Sequence, residues 1–290
     1  MSSYRHLRLY PAKPPPTKGT PHQPSYKCSV NGLGFLKKRL AKVYLDEDDL
    51  AALKIECSNL DFDPTPCPPD AGALLNPMPA QKMERLAREY ELASLEGTGP
   101  FENNSFNEAS ILNRRIDSYL RRFQQPDDVD CLFLIDNSVY RKHGFSSVEA
   151  PLLGCFRYSL GRLFQVQHVL EVRDRSSSHV TCFLSEDAPL RGDALMLSEV
   201  WTILAIASLY FHRLDSGKFK IIPVTVISVS GRQFRIVQGY ADGETEIIHI
   251  RKTRIVDLGY GEDPEKEHWS EIMTLMRWVL AEPCGKTTYD

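Results

Sequence analysis

The chain has 290 residues, of which 42% are hydrophobic and 25% charged. This is the make-up of an ordinary globular protein of one large or two small domains, and it excludes collagen-like, coiled-coil and wholly disordered chains. The formal charge of −3 averages two unlike parts: residues 1–45 carry nine Lys or Arg and no acid, leaving 26 bases against 38 acids, a net −12, on the rest.

The chain opens on a basic, proline-broken stretch. Twelve of the 19 prolines fall in the first 80 residues, in clusters from Pro11 to Pro24 and from Pro64 to Pro79. The first reads as an extended arm over residues 1–30, and the second as a linker over 61–80 that interrupts a helical region, 31–126. Arg5, His6, Arg8 and the prolines break the first apolar run, so no secretory leader is expected, and Pro11 would stop the helix of a mitochondrial presequence. Residues 33–44 and 46–57 read as helices, the second opening on Asp46-Glu47-Asp48-Asp49, acids that suit a helix N-terminus. Two more helices follow. One covers 81–95, with Met83, Leu86 and Tyr90 on its apolar stripe; the other covers 107–123, where Leu112, Ile116, Tyr119, Leu120 and Phe123 recur at helical spacing.

From residue 127 to the end the pattern becomes that of an α+β core. Residues 130–136, 163–172 and 179–184 are short runs of aromatic and β-branched residues that read as strands. Asp193 is placed to cap a helix running to about Leu214 that is apolar on nearly every side, so it must be covered on every side. With Glu199, Thr202 and Ser208 it falls short of the roughly 20 apolar residues of a membrane span. A β-meander follows over 219–229, 233–240 and 245–250, turning at Gly231 and at Asp242-Gly243, where Gly243 offers the positive φ of a tight hairpin. A short strand over 254–258 leads to Asp263-Pro264-Glu265, an N-cap, a first-turn proline and an acid. The helix they start carries Trp269, Ile272, Met273, Met276, Val279 and Leu280 on one face. The expected fold is therefore N-terminal helices, then a mixed or antiparallel sheet whose C-terminal meander packs on a buried central helix and a terminal helix.

Local motifs contribute little chemistry. Seven cysteines occur without a C-x-x-C pair, which fits a reducing, intracellular setting, cytoplasmic or nuclear, and His143, His168, His179, His212, His249 and His268 stand singly rather than at zinc-ligand spacing. Gly285-Lys286-Thr287 lacks the upstream Gly and the following helix of a phosphate loop. Gly32-Leu33-Gly34 has Lys37 where a dinucleotide cradle needs its third Gly, and Tyr158-Ser159-Leu160-Gly161 lacks the first Gly of a nucleophile elbow. Asp61-Phe62-Asp63 and Asp127-Asp128-Val129-Asp130 read as solvated turns rather than cation sites. Glu199 is more informative. A lone carboxylate on an apolar helix must reach solvent, pair with a base such as Arg235, or serve a site.

The stretch Asp193-Ala194-Leu195-Met196-Leu197-Ser198-Glu199-Val200-Trp201, then Ile221-Ile222-Pro223-Val224-Thr225-Val226 before Gly231, then a helix ending near Arg277-Trp278, resembles a group of uncharacterised intracellular proteins of filamentous fungi. It is also distantly similar to the fungal branch of the restriction-endonuclease-like, PD-(D/E)XK, nucleases. There a Leu- and Trp-bearing helix follows the catalytic strand and leads into a strand with a Pro and then a Gly turn. The resemblance covers about residues 180–282 and rests on hydrophobic motifs. It implies a strand-borne acid and, on the neighbouring strand, an acid-x-Lys whose carboxylate shares a divalent ion and whose Lys orients the attacking water. Here the strand before the helix reads His179-Val180-Thr181-Cys182-Phe183-Leu184, without the acid or the Lys. The nearest substitutes are Asp136 and Glu171-Val172-Arg173, with an Arg that cannot surrender a proton.

Two readings of function follow. The first is a non-catalytic binding or accessory protein on a degenerate nuclease-like core, associated with a biosynthetic pathway, holding no cofactor and taking a protein or small-molecule partner. The second is a nuclease using Mg²⁺ or Mn²⁺ on Asp136 and Glu171, with Arg173 beside them and Glu199 as a further candidate site residue; it requires Asp136, Glu171 and Arg173 to converge. The −12 body disfavours a nucleic-acid partner, which would have to bind through the basic arm.

Overall fold

The computed structural model describes residues 24–63, 74–92, 104–121, 133–143, 155–157, 163–173, 177–213, 218–259 and 268–289. Residues 1–23 of the expected arm, most of the second proline cluster, the acids at 127–130 and the helix start at 263–265 lie outside the described residues. In chain order the elements are α1 (Pro24–Lys37), β1 (Tyr44–Leu45), α2 (Glu47–Ala52), β2 (Ile55–Asn59), β3 (Leu75–Asn76), α3 (Ala80–Glu89), α4 (Ser105–Leu120), a 3₁₀ turn (Leu134–Asn137), β4 (Tyr140–His143), β5 (Cys155–Arg157), β6 (Leu163–Val172), β7 (Val180–Glu186), β8 (Leu195–Met196), α5 (Leu197–Arg213), β9 (Val224–Ser230), β10 (Gln233–Asp242), β11 (Ile247–Lys252), β12 (Val256–Asp257), α6 (Trp269–Val279) and β13 (Glu282–Pro283).

Nine strands form one mixed sheet in the order β2-β11-β10-β9-β7-β6-β4, with β12 on β10 and β5 on β6. β7 runs parallel to β9 and β11 parallel to β2, while the other pairs in this sheet are antiparallel. Every residue of β7 and of β9 is buried, as befits neighbouring parallel strands covered on both faces. The crossover between them is α5.

On one face α5 packs on β9 and β10, and α1 lies over α5. Leu36, Leu204, Val226, Val237 and Ile250 belong to this core. On the other face Met83 of α3, Leu112 and Ile116 of α4, and Met276 and Trp278 of α6 close over Phe183, Ile227 and Ile236. The α+β class, the meander on a buried central helix and the terminal helix are therefore all present. Covered by the sheet below and α1 above, α5 buries nearly its whole surface, and each large apolar side chain sealed this way contributes about 1.5–3 kcal/mol.

Several elements differ from their sequence reading. The helix expected over 33–44 is α1, which starts at Pro24 and ends at Lys37. Proline suits a first helical position, and the chain then turns so that Arg39 and Lys42 reach Asp49 and Asp46. The helix expected over 46–57 is only α2. It is capped by Asp46 and Asp49 as the acids suggested, but Lys54 takes φ +51° and Ile55 onward joins β11 as a parallel strand. Pairing with the sheet outweighs local helix propensity there. The run 130–136, read as a strand, contributes the single 3₁₀ turn Leu134–Asn137 within its described part. Asp193 does not cap α5. The segment before the helix is drawn into β8, paired with β1, and Glu199 closes the first turn by accepting from Met196 N at 2.9 Å, half of a capping box.

Gly231 takes a positive φ in the first meander turn, but in the second, where Gly243 was expected to, it is Glu246 that does. Gly243 is needed for space. A Cβ there would lie 2.0 Å from the backbone of Pro24 and Ser25, and Gly243 N donates to Ser25 Oγ at 2.9 Å. The turn is therefore the seat on which the start of α1 docks.

Candidate functional site

The four residues singled out from the sequence occupy three separate ion pairs. Asp136, in the 3₁₀ turn, is bound by the Arg173 guanidinium at the end of β6. Arg173 Nε also donates to Tyr140 O at 2.7 Å. Glu171 sits opposite Arg141 on the antiparallel β4 and accepts from its Nε at 2.9 Å, while Tyr210 OH of α5 donates to its other oxygen at 2.9 Å. The turn carrying Asp136 packs against α4, whereas Glu171 faces α5 across the sheet. Asp136 is thus paired with Arg173, and Glu171 with Arg141 and Tyr210. Among the described residues no group of three His, Cys, Asp or Glu side chains is placed to hold a metal ion.

Glu199 and Arg235 are both wholly buried. Arg235 Nε donates to Oε1 at 2.8 Å and an NH2 proton to Oε2 at 2.6 Å, so the contact is two-pronged. The rest of the guanidinium serves the preceding loop, donating to Arg191 O at 2.6 Å and Ala194 O at 3.0 Å. Lys252 Nζ adds a bond to Gly192 O at 2.6 Å. Burial works to lower the Arg235 pKa, but the Glu199 carboxylate more than offsets it and raises it; burial and the nearby Arg235 cation lower that of Lys252. One buried carboxylate thus closes the first turn of α5 and, through Arg235, fixes the loop that leads into it.

A second polar cluster, under α4, was not singled out in the sequence. The register of β6 on β7 slips between Val166 and His168, leaving Gln167 as an extra residue. Such a bulge turns two consecutive side chains to one face. Gln167 Nε2 reaches Ser110 Oγ of α4 at 2.8 Å, and His168 packs edge-on against Phe183 beside Asp117 of α4. Asp117 accepts from Lys142 Nζ of β4 at 2.7 Å, pairs with Arg121 at 2.6 Å, and has His168 Nε2 at 3.9 Å. One turn earlier, Asn113 Nδ2 donates to Ser185 Oγ of β7 at 2.9 Å.

Burial would raise the Asp117 pKa, yet the bond from Lys142 and the nearby His168 and Arg121 outweigh it, and the pKa is lowered. Burial lowers that of His168, with Asp117 opposing. His168 Nε2 and Asn113 Oδ1 are buried without a hydrogen bond among the described residues. The sequence did carry two signals: Ser110, Asn113 and Asp117 recur at helical spacing on α4, and Gln167-His168 breaks the alternation of β6.

His179, at the entry to β7, is a more deeply buried imidazole than the half-buried His168. Its Nδ1 lies 2.5 Å from Ser177 Oγ, and burial pushes its pKa down to about 4, against the opposing effect of the Cys284 and Leu74 backbone. Ser177 also accepts from His179 N at 3.4 Å, the geometry of a local turn. The tail that echoes a phosphate loop is tied into the fold, with Thr287 O accepting from Lys220 N at 2.7 Å. Among the described residues no helix is long and apolar enough to cross a membrane. Compared with models of protein families, with curated proteins and with solved structures, the chain matches none.

Proposed function

We propose that the chain is a non-catalytic intracellular binding or accessory protein, built on a nuclease-like core whose acids are each paired with an arginine. The observation that carries this reading is that Asp136, Glu171 and Glu199 are each bound by a guanidinium, from Arg173, Arg141 and Arg235 respectively. A carboxylate that is to hold a divalent cation needs free lone pairs and no fixed positive charge beside it. Arginine stays protonated at any working pH, so it neutralises the acid, repels a metal and cannot relay a proton from water. The element order favours the same core: β7 leads through α5, with Leu197 and Trp201, into β9, which follows Pro223 and ends at the Gly231 turn.

The partner is a protein or a small molecule. The acidic body disfavours nucleic acid, and within the basic N-terminal region Arg39 and Lys42 are already spent on Asp49 and Asp46. Among the described residues, free thiols at Cys28, Cys57 and Cys182 agree with a reducing compartment, cytoplasmic or nuclear. An accessory role beside a biosynthetic pathway rests on the resemblance alone.

The test has two arms. Incubation with single- and double-stranded DNA and RNA in Mg²⁺ or Mn²⁺ should give no cleavage, and affinity purification from cells should recover a stoichiometric partner or ligand. Metal-dependent cleavage that disappears in Asp136→Ala would instead make the protein a nuclease. A ligand-free monomer from cells would contradict the binding reading.

A further inference from the structure

We infer that β2 is a pairing edge for a second copy of this chain: two β2 strands run antiparallel about a two-fold axis at Cys57 and join two nine-stranded sheets into one. The hydrogen-bond register carries the inference. β2 ends the sheet, and among the described residues β11 is its one neighbouring strand. Ile248 N donates to Lys54 O at 3.1 Å, and Leu60 N donates to Lys252 O at 2.9 Å. In a parallel ladder such bonds come from every second residue, so 54, 56, 58 and 60 turn their backbone groups to β11. Ile55, Cys57 and Asn59 therefore turn theirs outward, where they have no hydrogen bond among the described residues.

This outward row is complementary to itself. Laid antiparallel on a copy, Cys57 exchanges both bonds with the partner's Cys57, while Ile55 does so with the partner's Asn59 and Asn59 with the partner's Ile55. Every outward N–H and C=O is then paired. Glu56 stands opposite the partner's Ser58, so no like charges face each other directly. Lys54, which also holds Glu246 of its own chain, precedes the strand and Asp61 follows it. Antiparallel pairing brings these opposite ends together, whereas parallel pairing would set like against like.

The edge also lacks the devices that deter such pairing. Edge strands are commonly blunted by Lys, Pro, a bulge or a covering segment. β4, at the other end of the sheet, reads Tyr140-Arg141-Lys142-His143 and follows that rule. β2 reads Ile55-Glu56-Cys57-Ser58-Asn59, pairs with β11 without a bulge, and is exposed from Glu56 to Asn59. Because the two-fold contact uses the same strand of both copies, it closes at a dimer instead of growing into a fibre.

Sedimentation of the full chain under reducing conditions should show a monomer–dimer equilibrium between about 1 and 100 µM. Cys57→Pro removes an outward N–H and spares the bonds to β11, a position at which an edge strand tolerates proline. It should raise the dimer dissociation constant about tenfold to a hundredfold while the monomer stays folded. A monomer throughout that range, or a dimer that Cys57→Pro leaves unchanged, would overturn the inference. Should that variant fail to fold, the native thiol decides. The paired Cys57 residues would lie about 5.5 Å apart at Cα, within disulfide reach. Glutathione disulfide should then oxidise the two thiols to one intermolecular bridge, with release of two molecules of glutathione. A yield of bridged dimer that falls in Cys57→Ser supports the pairing, and a native yield no higher than that of Cys57→Ser excludes it.

Discussion

Arg235 on β10 clasps both carboxylate oxygens of Glu199 on α5, and neither side chain has any exposure to solvent. Removing one partner leaves a buried charge uncompensated, at a cost of about 3–5 kcal/mol, whereas an apolar pair of similar volume is often neutral or better. Glu199→Gln and Arg235→Met should each lower the urea midpoint strongly, and Glu199→Leu combined with Arg235→Met should recover much of the loss. The loop carbonyls of Arg191 and Ala194 lose donors in either case, so recovery should stop short of the native value. A double variant as weak as the sum of the two singles would show that the pair does not act as a unit.

Two glycines should respond in opposite directions to the same substitution. Gly243→Ala pushes a methyl into the backbone of Pro24 and should cost about 1–3 kcal/mol, with α1 becoming the first segment cut in limited proteolysis. Gly34 lies within α1 with nothing within 4 Å of an added Cβ, so Gly34→Ala should stabilise by about 0.5–1 kcal/mol. Equal effects at the two sites would contradict the docking of α1 on the second meander turn.

Acid should destabilise the fold through His179, whose pKa burial depresses to about 4. In the unfolded chain this imidazole takes up a proton near pH 6.5, so below that value unfolding is favoured by proton binding, until the folded group also titrates near 4. The neutral imidazole's contribution is therefore complete above about pH 6.5 and is lost as pH falls towards 4, in total about 3 kcal/mol. Denaturant unfolding between these pH values should show this slope, and His179→Gln should flatten it. An unchanged slope in the variant would assign the acid sensitivity elsewhere.

Thiol reactivity should separate Cys57 from Cys182. Cys57 is exposed on β2, while Cys182 is completely buried on β7 and burial strongly raises its thiol pKa. A thiol reagent should label Cys57 in the folded protein and reach Cys182 only on unfolding. Labelling of Cys182 at native-state rates would mean that the centre of the sheet opens.

Much of the architecture was legible because its signals are periodic and local: the strand 163–172 was read to the residue, α5 was recognised as a helix that must be covered on all sides, and Arg235 was named as a partner for Glu199. What was misread depended on distant pairing. Ile55 looks helical until β11 is beside it, and the purpose of Gly243 appears only when Pro24, 219 positions earlier in the chain, is seen against it. The cluster under α4 escaped notice because a bulge, which the sequence marks only by the polar pair Gln167-His168, reversed the direction in which His168 points.

The arginine-occupied carboxylates are tested most directly by thermal unfolding in a Mn²⁺ titration. A site filled to 100 times its dissociation constant would stabilise the fold by about 2.7 kcal/mol, while Asp136 and Glu171 already bound to Arg173 and Arg141 leave no such site. The melting temperature should stay constant through millimolar Mn²⁺. A rise that Asp136→Ala or Glu171→Ala abolishes would show that a metal displaces the guanidinium groups, and would contradict the proposal that these carboxylates hold no cation.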